Sequence, residues 1–170
     1  LILSNEIGLK VIVMPLCLTA IELALNHEVS FLELHSIQWN DLVLKSKMEK
    51  SGIPIIVSVG GRTLNEIEQM TEFFLKNLKI LVVGLQSFPT QVNNSQLGMI
   101  DFLKTKYPKL KIGYADHSNS ISQAMALCSL ASNLGVSYLE KHISIKNLES
   151  KIDIASLFYK EDFFALAELM

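Results

Sequence analysis

Two short apolar runs, Leu110 to Ile112 and Val136 to Leu139, flank a stretch from Ile121 to Leu134 whose apolar residues recur at helical spacing. Strand, helix, strand in that order commits the chain to a parallel pair, because parallel strands need a long crossover and a helix is the usual one. The same alternation fills the rest of the sequence. Strand-length apolar runs cover Lys10 to Met14, Phe31 to His35, Pro54 to Val59, Lys79 to Leu85, Leu110 to Ala115 and Ser137 to Lys141. They are near-continuously hydrophobic, as expected of parallel strands covered on both faces. Helical spacing occupies Leu18 to Asn26, Asp41 to Ser51, Leu64 to Asn77, Gln96 to Tyr107, Ile121 to Leu134 and Lys160 to Met170, and Leu1 to Ile7 is also helix-like.

Local signals sharpen the boundaries. Thr63 stands three residues before Glu66, the spacing of a capping box in which hydroxyl and carboxylate satisfy N–H groups at a helix start. Gly52, Gly60, Gly61 and Gly135 punctuate element ends, where positive φ or close backbone approach is needed. Gly60-Gly61 suits either a phosphate cradle at a helix start or an ordinary tight turn.

The expected fold is therefore α/β, with about six parallel strands and intervening helices. Periodicity alone leaves an open doubly wound sheet and part of a (β/α)8 TIM barrel both standing. In either, chemistry gathers at the C-terminal strand ends, where Ser36, Ser58, Gly60, Gln86, Asp116 and His142 fall. A complete barrel typically needs about 250 residues, so 170 residues with six strands read as a single partial barrel domain, 1–170. The open sheet edges of such a fragment would invite another chain, so that a homodimer or poor solubility would follow.

Composition narrows the partners. A hydrophobic content of 49% supports a packed core. Fifteen basic and seventeen acidic residues, with no dense Lys/Arg cluster, lack the footprint of a nucleic-acid binder, so the ligand should be small. The apolar start, Leu1 to Leu25, is broken by Asn5, Glu6, Lys10 and Pro15 and lacks a basic leader, so neither a signal peptide nor a membrane span is expected. Cys17 and Cys128, without CxxC spacing, fit reduced core thiols of a cytoplasmic protein. Lys45, Lys47 and Lys50 read as a solvated helix face, and Phe163, Phe164, Leu166 and Leu169 as the core face of the last helix.

The chemistry concentrates in Gly113-Tyr114-Ala115-Asp116-His117 and Glu140-Lys141-His142. Each puts an imidazole at the end of one of two successive strands, and two such nitrogens can share one metal ion. His35 also ends a strand, but reads as a hydrogen-bonded core or rim histidine, and His27 as a residue just past a helix end, where a partial positive charge suits the dipole.

These residues resemble the sialic acid synthase (N-acetylneuraminate synthase) family. Gly113 to His117 is similar to the family's GYSDHT segment and Glu140 to His142 to EKHF. Ser58-Val59-Gly60 with Thr63 to Ile67 is similar to STGxxTxxEI, and Gln86-Ser87-Phe88-Pro89-Thr90 to NxYPT. The similarity runs in register from about Gly8 to Leu157, and Asp153 falls where the family has the Asp of a GPDH segment. The resemblance implies a (β/α)8 barrel missing its first strands, with the family's antifreeze-like C-terminal domain absent. It implies a transferase that forms a C–C bond, condensing phosphoenolpyruvate with an N-acylated amino sugar such as N-acetylmannosamine to give a sialic-acid-type nonulosonic acid. By correspondence His117 and His142 would hold a divalent metal, Mn2+ or Mg2+, and act in catalysis with Asp153. Ser36, Gln38, Ser58, Gln86, Phe88 and Asp153 would bind substrates, with Ser58 on phosphoenolpyruvate and Asp153 on sugar hydroxyls. Lys141 would face away from the site.

Four positions differ from the family pattern: Met14 for Thr, Glu33 for Lys, Gln86 for Asn and Ala115 for Ser. Gln38 likewise replaces a sugar-binding Glu. The exchange at Glu33 is the sharpest, since an anion beside a phosphate reverses an attraction. It leaves a second reading, a catalytically inactive fragment or pseudoenzyme that binds a sugar or a partner without turnover.

Overall fold

A computed structural model describes residues 2–85, 87–145 and 154–170. Its single sheet has the strands β1 (Ile12–Val13), β2 (Phe31–Leu34), β3 (Ile55–Ser58), β4 (Leu78–Val83), β5 (Lys111–Asp116) and β6 (Tyr138–Lys141) in chain order. All six run parallel. Their order separates the two folds that periodicity left open. A doubly wound sheet reverses strand order at a switch point, whereas consecutive order throughout is the winding of a (β/α)8 barrel. The helices are α1 (Ile2–Glu6), α2 (Leu18–Leu25), α3 (Leu42–Lys50), α4 (Leu64–Phe73), α5 (Gly98–Lys106), α6 (Ile121–Asn133) and α7 (Lys160–Glu168). Among the described residues no helix is long and apolar enough to cross a membrane.

The chain forms two compact units, one of Leu1–Ser58 with Arg62–Leu81, the other of Val59–Gly61 with Val82–Met170. In the first, β2 and β3 pair with Leu32 opposite Ile55 and Leu34 opposite Val57, and all four side chains are fully buried. The helices bury residues three or four apart: Ile21 and Ala24 on α2, Leu44 and Met48 on α3, Ile67 and Met70 on α4. The capping box at α4 forms as its spacing predicts: Glu66 N–H donates to Thr63 Oγ1, and Thr63 N–H to Glu66 Oε2 at 2.7 Å. α4 stops at Phe73 rather than running on to Asn77, because the following residues are used for docking. Phe74 leaves helical geometry and buries its ring edge-on to Phe73 at 4.9 Å, while Asn77 Nδ2 donates to the Glu49 carbonyl at 2.6 Å.

Lys45 corrects the expectation of a solvated face. It follows Leu44 on the buried side of α3, is only 7% exposed, and its ammonium lies 5.2 Å from the Phe73 ring centroid. Burial pushes its pKa down, against a smaller upward pull from Asp41. Cys17 also departs from expectation: it precedes α2 at the surface, whereas Cys128 is buried as a core thiol.

In the second unit, α6 buries Ala124, Leu127, Cys128 and Ala131, and Ser120 caps it by accepting from Gln123 N–H at 3.2 Å. Two close backbone approaches set the strand ends. A Cβ on Gly60 would stand 1.6 Å from the Gly84 carbonyl oxygen, and one on Gly84, whose φ is +143°, would stand 2.3 Å from the Ala115 carbonyl oxygen. The bare backbone at Gly60 is thus explained by packing against another strand end. On α7 only Leu166 of the expected core face is buried; Phe163, Phe164 and Leu169 are exposed, Phe164 at 57%. A nine-residue helix on one side of a strand can bury only a narrow stripe.

Candidate functional site

The site lies in the second unit, where β5 and β6 end together. They pair in register, Gly113 with Tyr138, Tyr114 with Leu139, Ala115 with Glu140 and Asp116 with Lys141. Side chains alternate across a strand, so Glu140 and His142 share one face while Lys141 takes the other. His117, one residue past Asp116, comes to the same side as His142. The two rings stand 5.2 Å apart, centroid to centroid, at 80°. One ligand atom each from His117, Glu140 and His142 fall within 4.8 Å of one another. Two imidazoles and a carboxylate so placed could hold one divalent cation while leaving positions open for other ligands.

The surroundings hold these groups in place. His117 is 2% exposed, and its carbonyl accepts from Thr90 N–H and from the buried Ser156 hydroxyl, both at 2.8 Å. The His142 carbonyl accepts from Phe158 N–H at 2.9 Å. Phe88 closes the aromatic side, edge-on to His117 at 4.5 Å and tilted to His142 at 5.7 Å. Thr90 folds the loop that presents Phe88, its hydroxyl placed to donate to the carbonyls of Leu85 at 2.9 Å and Ser87 at 2.7 Å.

Behind the histidines, on the other face, Lys141 does point away, but into an ion pair. Its ammonium donates to Asp116 Oδ2 at 2.6 Å, with both side chains almost wholly buried. Ser118 adds its N–H at 3.3 Å and its hydroxyl at 2.9 Å to the same oxygen. Burial, and next the Asp116 charge, push the Tyr114 phenol well above its usual range and the Cys128 thiol up to about 12.

The first unit carries the other expected residues. Ser58, assigned by resemblance to phosphoenolpyruvate, donates its hydroxyl to Glu33 Oε1 at 2.8 Å, and both residues are buried. The substituted anion thus has a hydrogen-bond donor on the neighbouring strand, as a buried carboxylate requires. Ser36 and Gln38 lie in a 3-10 turn, Ser36–Gln38, past the end of β2. The Ser36 carbonyl accepts from the Arg62 guanidinium, which also stacks over Trp39 at 4.9 Å. Gln38 Nε2 donates to the Pro15 carbonyl at 2.9 Å, and its buried Oε1 has no hydrogen-bond partner among the described residues. His35 Nδ1 accepts from Ile37 N–H at 3.2 Å, the structural role expected of it. Gln86 and Asp153 lie outside the described residues.

Glu140 is a candidate ligand that the two histidine motifs do not by themselves single out. The signal was present, because a position two before a strand-end His shares its face.

The sequence model of the NeuB family matches residues 3–169. The chain is 28% identical over 135 residues to N-acetylneuraminate-9-phosphate synthase of Drosophila melanogaster, covering 76% of this chain and 34% of that protein. It is 28% identical over 161 residues to N,N'-diacetyllegionaminic acid synthase of Campylobacter jejuni, covering 91% of this chain and 41% of that one. It therefore spans well under half of these curated relatives. The N-acetylneuraminic acid (sialic acid) synthetase of Leptospira borgpetersenii, solved in complex with citrate, shares the fold with a TM-score of 0.85 at 24% identity, over 98% of this chain and 57% of that structure.

Proposed function

The chain belongs to the NeuB family, and from that premise we propose that it carries the metal end of the active site of a nonulosonic acid synthase. The reaction proposed is condensation of phosphoenolpyruvate with an N-acylated amino sugar. C3 of phosphoenolpyruvate bonds to the aldehyde carbon of the open-chain sugar, water adds at C2, and phosphate leaves. The observation that carries this reading is the convergence of His117, Glu140 and His142 within 4.8 Å.

The donor set fits a divalent cation. Imidazole suits transition metals and carboxylate suits harder ions, so the mixture favours Mn2+ over Mg2+, which takes oxygen almost alone. When bound, such an ion supplies Lewis-acid polarisation of a carbonyl oxygen. The chain's own residues do the rest. With their backbone carbonyls tethered by Thr90, Ser156 and Phe158, the two histidines stand on a fixed main chain, so less ordering is left for the moment of binding. Phe88, half-exposed beside both rings, offers an apolar edge that keeps water from one side. Ser58 and Glu33 form a buried donor–acceptor pair, and a phosphoenolpyruvate contact at Ser58 requires its hydroxyl to turn away from Glu33.

Calorimetric titration with MnCl2 tests the metal site. Binding at one site per chain is expected, abolished by His117→Ala and weakened by Glu140→Gln; binding unaffected by His117→Ala rejects it. For the reaction, a protein of the relatives' full length should release phosphate from phosphoenolpyruvate only when an N-acylated hexosamine and Mn2+ are both present. No release with any such sugar overturns the assignment.

A further inference from the structure

We infer that Asp116 and Lys141 are positioning residues for the metal site: their ion pair, on the reverse face of β5 and β6, holds the strand ends in the register that makes the His117 and His142 rings converge. The inference rests on the reading of that site as a metal centre. Each member of the pair adjoins a ligand in sequence, Asp116 before His117, and Lys141 between Glu140 and His142. The two are directly opposite in register.

Strand register is fixed by whatever distinguishes one pairing from the next. A slip of one residue turns every side chain to the other face, so it would send Glu140 and His142 away from His117. At the start of the pairing Gly113 faces Tyr138, and a Cβ on Gly113 would stand 2.7 Å from the Tyr138 ring, which marks that end. At the other end the mark is electrostatic. The ammonium reaches Asp116 Oδ2 at 2.6 Å and lies 3.4 Å from the Asp116 carbonyl, so it grips side chain and backbone of one residue. Phe158 lies beneath it at 4.7 Å, and Ser118 steadies the carboxylate.

Stability alone is a poor reason for such a pair. Buried ion pairs are often matched or bettered by apolar residues of the same volume, and a register role is their best-attested use. This carboxylate is also incompletely satisfied, since Asp116 Oδ1 is buried with no hydrogen-bond partner among the described residues. The pair tolerates that deficit where the ends of β5 and β6 meet and present the two histidines.

The test pairs the double variant Asp116→Asn/Lys141→Met, which removes both charges and keeps the volume, with Ser118→Ala, which only loosens the carboxylate. Two readouts are needed: nuclear Overhauser cross-peaks between the His117 and His142 ring protons, and the Kd for Mn2+ alone. The expected result for the folded double variant is loss of the ring–ring cross-peaks and a Kd raised on the order of ten-fold or more. Ser118→Ala should show the same changes to a smaller degree, and decides the matter if the double variant does not fold. A merely structural pair would lower the melting temperature and leave cross-peaks and Kd as in the wild type, which overturns the inference. If the wild type binds no Mn2+, the metal reading fails, and the cross-peaks still decide whether the pair positions the rings.

Discussion

Gly84→Ala probes the backbone contact on which the site stands. Gly84 has φ of +143°, and an added Cβ would lie 2.3 Å from the Ala115 carbonyl oxygen, against about 3.4 Å for an ordinary contact. The obstacle is backbone and cannot swing aside, so β4 and β5 must separate by about 1 Å or the peptide must rotate. Overpacking of this kind costs about 1–3 kcal/mol, and forcing a side chain into a region of φ and ψ reserved for glycine about 1–3 kcal/mol more. Gly52→Ala is the control. Gly52 also has positive φ, +74°, but nothing lies within 4 Å of its Cβ position, so only the left-handed strain of about 1–2 kcal/mol applies. Urea denaturation followed by circular dichroism should place the Gly84→Ala midpoint clearly below that of Gly52→Ala. Because Ala115 is two residues from His117, the Gly84 variant should also lose Mn2+ affinity while Gly52→Ala keeps it. Equal midpoints for the two variants would show that the strand ends can part freely, and the argument from close approach would fall.

Three further outcomes are expected. Iodoacetamide at pH 8.5 should label the exposed Cys17 and leave Cys128 unmodified in the native protein, because burial holds the Cys128 thiol up to about 12; equal labelling by mass spectrometry contradicts this. Lys45→Met should raise the melting temperature at neutral pH. With the folded pKa below that of the unfolded chain, the lysine costs stability while protonated, so the gain should fade as pH rises towards 10.5, and a gain independent of pH would refute burial as its source. Hydrogen bonds from the Thr63 backbone and then its hydroxyl lower the Glu66 pKa, so Glu66 stabilises the fold above the unfolded carboxylate value and loses that contribution as pH falls through the folded one. Thr63→Ala, which removes the hydroxyl but keeps the larger backbone contribution, should move the Glu66 carboxyl titration, followed by NMR, part of the way back up, and an unmoved titration would exclude the hydroxyl as a cause of the shift.

Much of the architecture was legible because it is written in short-range patterns. Apolar runs marked all six strands, and Thr63 with Glu66 marked the start of α4 to the residue. The failures share one cause. By its charge Lys45 reads as solvated, yet its long apolar stem and the ring of Phe73 make burial tolerable. By their hydrophobicity Phe163 and Phe164 read as core, yet which side of α7 is buried depends on what packs there. Helical spacing runs on past the end of α4, which stops early because Phe74 and Asn77 gain more from docking than from another helical turn.

The order of residues by itself determined that this chain alternates parallel strands with helices and that an imidazole ends each of two successive strands. Those are properties of periodicity, and periodicity is local. Tertiary structure alone decided the rest: that strand order is consecutive, that Glu140 joins the two histidines, that Lys141 turns to Asp116, and that Ser58 gives its hydroxyl to Glu33. Each depends on the register between strands joined through a helix, and register is set by packing and by the pairing of buried charges rather than by any residue's own preference.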